Sequence, residues 1–225
     1  MPQKPGHPTI AIDGPAGSGK STVAREVSMR LNIKYLDTGA MYRAVTLKLI
    51  RKKADLTNLK VLEEILDQTK IQIGEDKQVI LDGEDVTAEI RFPHVNEMVS
   101  PVSCISLIRR RLVAIQQAIA RESRGIIMEG RDIASRVMPD ADFKFYLDAS
   151  VEERARRRSK EQREKGLNLP EDSVAAEILK RDSIDSQRDD SPLTIVADAI
   201  VIDTTGMTFD AVVTKIIETV NMDFH

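Results

Sequence analysis

Residues Gly14-Pro15-Ala16-Gly17-Ser18-Gly19-Lys20-Ser21 fit the pattern G-x-x-x-x-G-K-[ST]. This octapeptide restricts the fold more than any other stretch. Its glycines let successive backbone N–H groups turn inward around a phosphate, because no Cβ blocks the turn. The loop works only between a strand and a helix whose positive dipole end faces the anion. Both flanks comply. Thr9-Ile10-Ala11-Ile12-Asp13 is a short apolar run of strand type, and Val23, Val27 and Leu31 recur on one helical face. Lys20 is placed to reach β- and γ-phosphates and the Ser21 hydroxyl to sit on Mg²⁺. The chain is therefore expected to bind a nucleoside triphosphate.

Five short apolar runs read as buried parallel strands, at about 9–13, 33–37, 125–129, 143–148 and 199–203. Each ends in a carboxylate: Asp13, Asp37, Glu129, Asp148 and Asp203. Ligands of open α/β sheets collect at these strand ends. For Asp13, Asp148 and Asp203 the preferred reading is a turn or cap acid. The neighbours of Asp37 and Glu129 favour a site. Helical periodicity predicts helices near 22–31, 40–53, 58–69, 104–122, 151–165, 172–185 and 208–221. The alternation predicts an α/β fold, a five-stranded parallel sheet flanked by helices. One stretch interrupts it: residues 71–73 and 78–87 alternate in hairpin style around Asp82-Gly83, as a small antiparallel insert.

A length of 225 residues suits one such domain, with a core at about 8–60, 102–150 and 192–225. The insert then spans about 61–101, and a helical, arginine-rich lid with its following helix about 151–191. At 41% hydrophobic and 31% charged residues the chain reads as soluble and globular. The polar, proline-rich start is not expected to act as a signal peptide, and no apolar run nears the roughly 18 residues of a membrane helix. One cysteine, Cys104, permits neither an intrachain disulfide nor a cysteine metal cluster. A cytoplasmic monomer is expected. A net charge of −3 and the absence of tryptophan argue against a nucleic-acid partner.

Four further constellations lie where such a fold collects ligands. Asp37-Thr38-Gly39-Ala40-Met41-Tyr42-Arg43 repeats the strand-turn-helix geometry. Thr38 is expected to cap the new helix, with Arg43 in its first turn. A cation there opposes the dipole unless an anion sits beside it, so Arg43 marks a second phosphate site or pairs with a surface acid. In Glu129-Gly130-Arg131-Asp132 the glycine permits a turn that exposes Arg131, whose fork suits phosphate, and Asp132. Residues 154–165 carry seven cations and two acids, with Arg154, Arg157 and Arg158 on one helical face. That run is a solvated face or a lid over phosphates, and the break at 165–170 after it permits hinge motion. Arg181, Asp185 and Arg188 share a face as well, a spacing that alone is more often a salt-bridge ladder.

Taken in order, these motifs resemble the bacterial-type cytidylate kinases, within the nucleoside monophosphate kinases. Glu152-Glu153-Arg154-Ala155 and Arg181-Asp182-x-x-Asp185-x-x-Arg188 belong to the same series, and the resemblance covers nearly the whole chain. The insert looks like the enlarged monophosphate-binding insert of that family. Glu129 stands where the family usually has Asp. The resemblance implies transfer of a phosphoryl group from ATP, with Mg²⁺, to CMP or dCMP. It implies that Gly14, Pro15, Ala16, Gly17, Ser18, Gly19, Lys20, Ser21 and Thr22 bind ATP, and that Thr38, Arg43 and Arg131 hold the acceptor phosphate. Ser100, Arg109 and Asp132 would read cytosine. Arg181 and Asp185 would lie at the acceptor's phosphate and sugar, and Arg188 near its base. Arg109 is chosen from Arg109-Arg110-Arg111 by its spacing from Ser100 and Gln116. Lys20, Arg131, Arg154, Arg157 and Arg158 would carry catalysis.

The chemistry agrees. An acceptor that is already an anionic phosphate needs no general base, and the three histidines lie outside every motif. Two alternatives stay open: another P-loop kinase acting on AMP, shikimate or dephospho-coenzyme A, and a nucleotide switch that only binds. The insert and the Arg181, Asp185, Arg188 set argue against the first. The arginine-rich segment has no purpose in the second.

Overall fold

The structure, a computed structural model, describes residues 7–74, 78–164, 166 and 169–224. In chain order the elements are β1 (Thr9–Asp13), α1 (Lys20–Leu31), β2 (Lys34–Asp37), α2 (Thr38–Arg51), α3 (Leu59–Asp67), β3 (Ile71–Ile73), β4 (Val79–Leu81) and β5 (Glu84–Asp85). A 3₁₀ turn at Glu89–Arg91 leads into α4 (Pro93–Ser103) and α5 (Ser106–Glu122). Then come β6 (Ile126–Gly130), a single π-turn at Ile133–Val137, β7 (Phe143–Asp148), α6 (Val151–Glu164), α7 (Glu171–Gln187), β8 (Ile200–Asp203) and α8 (Phe209–Asp223). The chain divides into two compact units, Met1–Tyr35 with Ser123–His225, and Leu36–Glu122.

The expected five-stranded parallel sheet is present, in the order β2-β6-β1-β7-β8. β1 lies at its centre, parallel to β6 on one side and β7 on the other. Central parallel strands are covered on both faces, which is why β1 and β6 read as unbroken apolar runs. Ile10, Ile12, Ile127, Phe145 and Leu147 of the sheet pack with Val23 and Val27 of α1 and Val213 and Ile216 of α8. Burying each such side chain contributes about 1.5–3 kcal/mol, and this core holds the loop between β1 and α1 at the sheet's carboxyl edge. Gly14 leaves β1 with no room to spare: a Cβ there would lie 2.1 Å from the Leu147 carbonyl oxygen of β7.

In the second unit α2 is buried over most of its surface. Ala40, Ala44 and Leu47 pack against Val79, Leu81, Val86 and Ile90. The antiparallel insert is three-stranded, β3-β4-β5, where the sequence suggested a hairpin. Its Asp-Gly turn has φ of 53° at Asp82 and 92° at Gly83, the paired positive values of a type I′ turn.

Several expectations shift. α2 begins at Thr38 and its cap is Asp37, whose carboxylate accepts from the Ala40 N–H at 3.0 Å. Thr38 is therefore not the cap, and Arg43 falls in the second turn, where its charge no longer opposes the dipole end. The short carboxylate of Asp37 already sits at the strand's end, one residue ahead of the hydroxyl. Arg188 is the C-cap of α7 in extended conformation, so it leaves the helix face shared by Arg181 and Asp185. α4 is not among the helices that the periodicity predicts. Pro93 occupies the helix start, where a missing N–H costs nothing, and Pro101 falls in the last turn. The proposed hinge at 165–170 lies partly outside the described residues.

Candidate active site

The phosphate loop closes around its own lysine. Lys20 Nζ donates to the Pro15 carbonyl at 2.6 Å and to Ser18 Oγ at 3.2 Å, and is buried. Burial, with the nearby Arg131 guanidinium, lowers the Lys20 ammonium to about 7, against an opposing pull from Glu129. The N-cap of α1 is Gly19, in left-handed conformation at φ 89°, and no side chain caps the helix. The first-turn N–H groups are thus directed at the loop, an arrangement suited to an anion. Thr22 Oγ1 donates back to the Gly19 carbonyl at 2.8 Å.

Ser21 Oγ donates to Glu129 Oε1 at 2.6 Å, and Tyr35 Oη reaches the same oxygen at 3.4 Å. Hydroxyl and carboxylate oxygens, with phosphate and water, are the donors Mg²⁺ takes. The residues therefore fit the metal that the loop pattern implies, although the described residues contain no group of three or more acid, histidine or cysteine side chains able to hold an ion unaided.

Beside the loop lies a belt of charge. Arg131 Nε donates to Asp185 Oδ2 at 2.7 Å. Arg188 lies 3.6 Å from Asp185 Oδ1 and 3.8 Å from Asp132 Oδ1. Burial pushes the Asp185 carboxyl up, but Arg131 and Arg181 outweigh it and hold it below the usual range. Burial and the charge of Arg131 bring Arg181 down to about 10, and its Nε is buried without a hydrogen-bond partner among the described residues. Such a nitrogen costs free energy unless a ligand oxygen meets it. Asp13 takes the quiet role expected of it, but on a distant turn: its carboxylate accepts from the Ile133 and Ala134 N–H groups at 2.9 and 2.8 Å. Burial raises it to about 6. Asp148 and Asp203 bond the backbone of Ala149 and Thr205, as ordinary turn acids.

The three arginines of α6 diverge. Arg154 is buried and bonds Ala149 and Ala16 carbonyls and the Asp182 carboxylate. Arg157 donates to Thr204 Oγ1 at 3.0 Å, the Thr204 carbonyl at 2.7 Å and Glu153 at 2.8 Å. Arg158 pairs with Glu161 at 2.9 Å.

In the second unit, Arg43 is buried and bonds Asn96 Oδ1. Asp37 also pairs with Arg91 at 2.8 Å. Of the three consecutive arginines, Arg109 is the one turned inward: it is buried, stands 5.5 Å over the Tyr42 ring and donates to the Ser103 carbonyl at 3.1 Å. Arg111 faces out to Asp67. Ser100 sits on α4, its carbonyl accepting from Ser103 Oγ.

A family model for cytidylate kinase matches residues 10–222. The chain belongs to the cytidylate kinase family. It is 49% identical over 211 residues to a cytidylate kinase of Caldanaerobacter subterraneus subsp. tengcongensis, covering 94% of this chain and 93% of that one. A cytidylate kinase of Desulforamulus reducens is 50% identical over 213 residues, covering 94% and 96%. A solved structure of an uncharacterised protein from Eubacterium ventriosum superposes with a TM-score of 0.54 at 15% identity, covering 96% and 99%, a likeness of fold alone.

Within this family frame, sequence reasoning quoted Asp182 in a motif without giving it a role, and gave none to Thr204 or Tyr35. Thr204 directly follows the strand β8, so the rule of strand ends points to it. Asp182 is one residue from Arg181 and hence about 100° around the helix, off the face the spacing picked out. Nothing local marks Tyr35.

Proposed function

We propose that the protein transfers the γ-phosphoryl group of ATP to CMP and dCMP, giving ADP and CDP or dCDP. The observation that carries this reading is the family match along residues 10–222, with relatives near half identity over more than nine-tenths of the chain.

The acceptor oxygen already bears charge and attacks phosphorus directly. The new P–O bond forms on CMP as the bond to the bridging oxygen of ADP breaks, and no proton has to move first. Catalysis is then positioning and charge neutralisation. Gly14 to Thr22 would hold the donor phosphates, with Lys20 on the β- and γ-groups. Bound Mg²⁺, held by Ser21 with Glu129 beside it, would neutralise phosphate charge. Arg131, Arg157 and Arg158 would offset the charge that gathers between two polyanions. Arg154 belongs to the same set, through the loop that it grips.

For the acceptor, the family resemblance assigns its phosphate to Thr38, Arg43, Arg131 and Arg181. Asp185 would take its sugar. Ser100, Arg109, Asp132 and Arg188 would read the base: cytosine offers an amino donor where uracil offers a carbonyl, and a carboxylate pairs only with the donor. Segment 61–101 would act as the monophosphate-binding insert and 151–191 as a lid that excludes water, a competing acceptor. The protein is proposed to work as a monomer in the cytoplasm. The single cysteine suits a reducing compartment, and among the described residues no helix is long and apolar enough to cross a membrane.

ADP release measured with CMP, dCMP, UMP, AMP, GMP and no acceptor tests the reading. CMP and dCMP should stimulate turnover most. Stimulation by AMP but not CMP would overturn it, and nucleotide binding with no acceptor-stimulated turnover would favour a switch.

A further inference from the structure

Ala16 of the phosphate loop is gripped on both edges of its backbone. Its N–H donates to Asp182 Oδ1 at 2.9 Å, and its carbonyl accepts from Arg154 Nη1 at 2.9 Å. The same Arg154 nitrogen pairs with the other Asp182 oxygen. Arg154 comes from α6 and Asp182 from α7, and Arg154 is itself anchored through Nε to the Ala149 carbonyl at 3.0 Å. The side chains are only 7% and 16% exposed. The next loop residue is confined too: a Cβ on Gly17 would lie 3.2 Å from both Cβ and the carbonyl oxygen of Arg154.

Helix packing does not call for this pair. Ala155, Val174 and Ile178 already supply an apolar contact for α6 and α7. A buried ion pair adds little stability over apolar residues of similar size, because desolvation offsets its attraction. What it adds here is direction. One carboxylate oxygen holds the Ala16 N–H and one guanidinium nitrogen holds its carbonyl, so the peptide units on either side of Ala16 are both fixed, immediately ahead of the amides that turn toward the triphosphate. Charge is balanced as well. A bare carboxylate beside the loop would repel an incoming polyanion, and Arg154 cancels it at contact distance.

We propose that Asp182 is a positioning residue for the phosphate donor, acting through Arg154 and the Ala16 backbone. It would set the loop for ATP without touching either substrate. The proposal rests on the kinase reading above and deepens it. Asp182→Asn keeps the shape, but turns an amide donor or a neutral oxygen toward Arg154 and removes the charge that pins it.

The test compares wild type, Asp182→Asn, Asp182→Glu, Arg154→Met and the Asp182→Asn/Arg154→Met double variant. KM for ATP and for CMP is measured in each, with the ATP dissociation constant from calorimetry. Asp182→Asn should raise the ATP dissociation constant and KM about tenfold and leave KM for CMP within twofold. Asp182→Glu should recover part of the loss, and the double variant should be no worse than the worse single one. Unchanged ATP binding in Asp182→Asn overturns the proposal, as do equal rises in both KM values or single-variant effects that multiply in the double. A variant with a lower melting temperature and wild-type KM values would show a packing role alone, which also overturns it. Failure of the wild type to bind ATP would instead defeat the kinase reading itself.

Discussion

The Ser21 hydroxyl and the Glu129 carboxylate meet at 2.6 Å, joining the start of α1 to the end of β6. Ser21 is the residue the loop pattern assigns to the metal, so Glu129 sits where it orients that hydroxyl. Removing its charge should loosen the metal site without dismantling the loop. Outer partners of metal ligands are typically worth tenfold or more in affinity. Glu129→Gln should therefore raise the half-saturating Mg²⁺ concentration roughly tenfold, read as ADP release across a magnesium titration at fixed ATP. An unchanged titration would separate Glu129 from the metal.

Lys20 titrates near 7 because burial and Arg131 disfavour its ammonium. Bound phosphates favour the charged form, so ATP binding above that pH must take up a proton. Affinity for ATP should weaken as pH rises from about 7, by up to about tenfold per unit for one proton. Calorimetry at pH 8 in two buffers of different ionisation enthalpy measures the uptake, and a buffer-independent heat would contradict it. The stability effect has the opposite slope. The folded pKa is lowered, so the unfolded chain holds the extra proton between about 7 and about 10.4. Relative to Lys20→Met, the wild type should gain stability from pH 7 to pH 9.5, as read by urea unfolding.

Asp132 is buried, with Arg188 at 3.8 Å from its carboxylate. If it accepts from the cytosine amino group, Asp132→Asn should narrow the preference for CMP over UMP by on the order of tenfold. The change should fall mainly on the acceptor KM. A ratio of kcat/KM for the two acceptors equal to that of the wild type would reassign the base contact.

The strands were readable because they are buried on both faces. β1 and β7 keep the expected bounds, β2 and β8 begin one residue later, and β6 moves one residue along the chain at both ends. Such runs leave little ambiguity of period. α4 has no counterpart among the predicted helices, and it carries two prolines whose cost depends on position within a helix. At the site, the phosphate loop follows from chain-local geometry, where neighbours in sequence are neighbours in space. The Arg154–Asp182 and Arg157–Thr204 contacts join residues 28 and 47 positions apart. The charge run left a solvated face and a lid both open, and the family resemblance favoured the lid. Only the fold shows that Arg154 turns inward to a backbone carbonyl while Arg158 turns to Glu161.

Gly14 carries a lesson about how selection would act on this loop. The Leu147 carbonyl, 2.1 Å from any Cβ at that position, belongs to the sheet and not to the nucleotide. A descendant that lost the kinase reaction would still be obliged to keep this codon to fold. At Gly19 the nearest atom is the far end of the Arg157 side chain at 3.7 Å, and the demand for glycine there comes from the left-handed backbone at φ 89° and not from a neighbour. In a saturation library, position 14 should be purged in a screen for protein abundance as severely as in one for activity. A glycine retained at 14 is therefore a record of the sheet's geometry, and says little about whether the chain still turns over nucleotide.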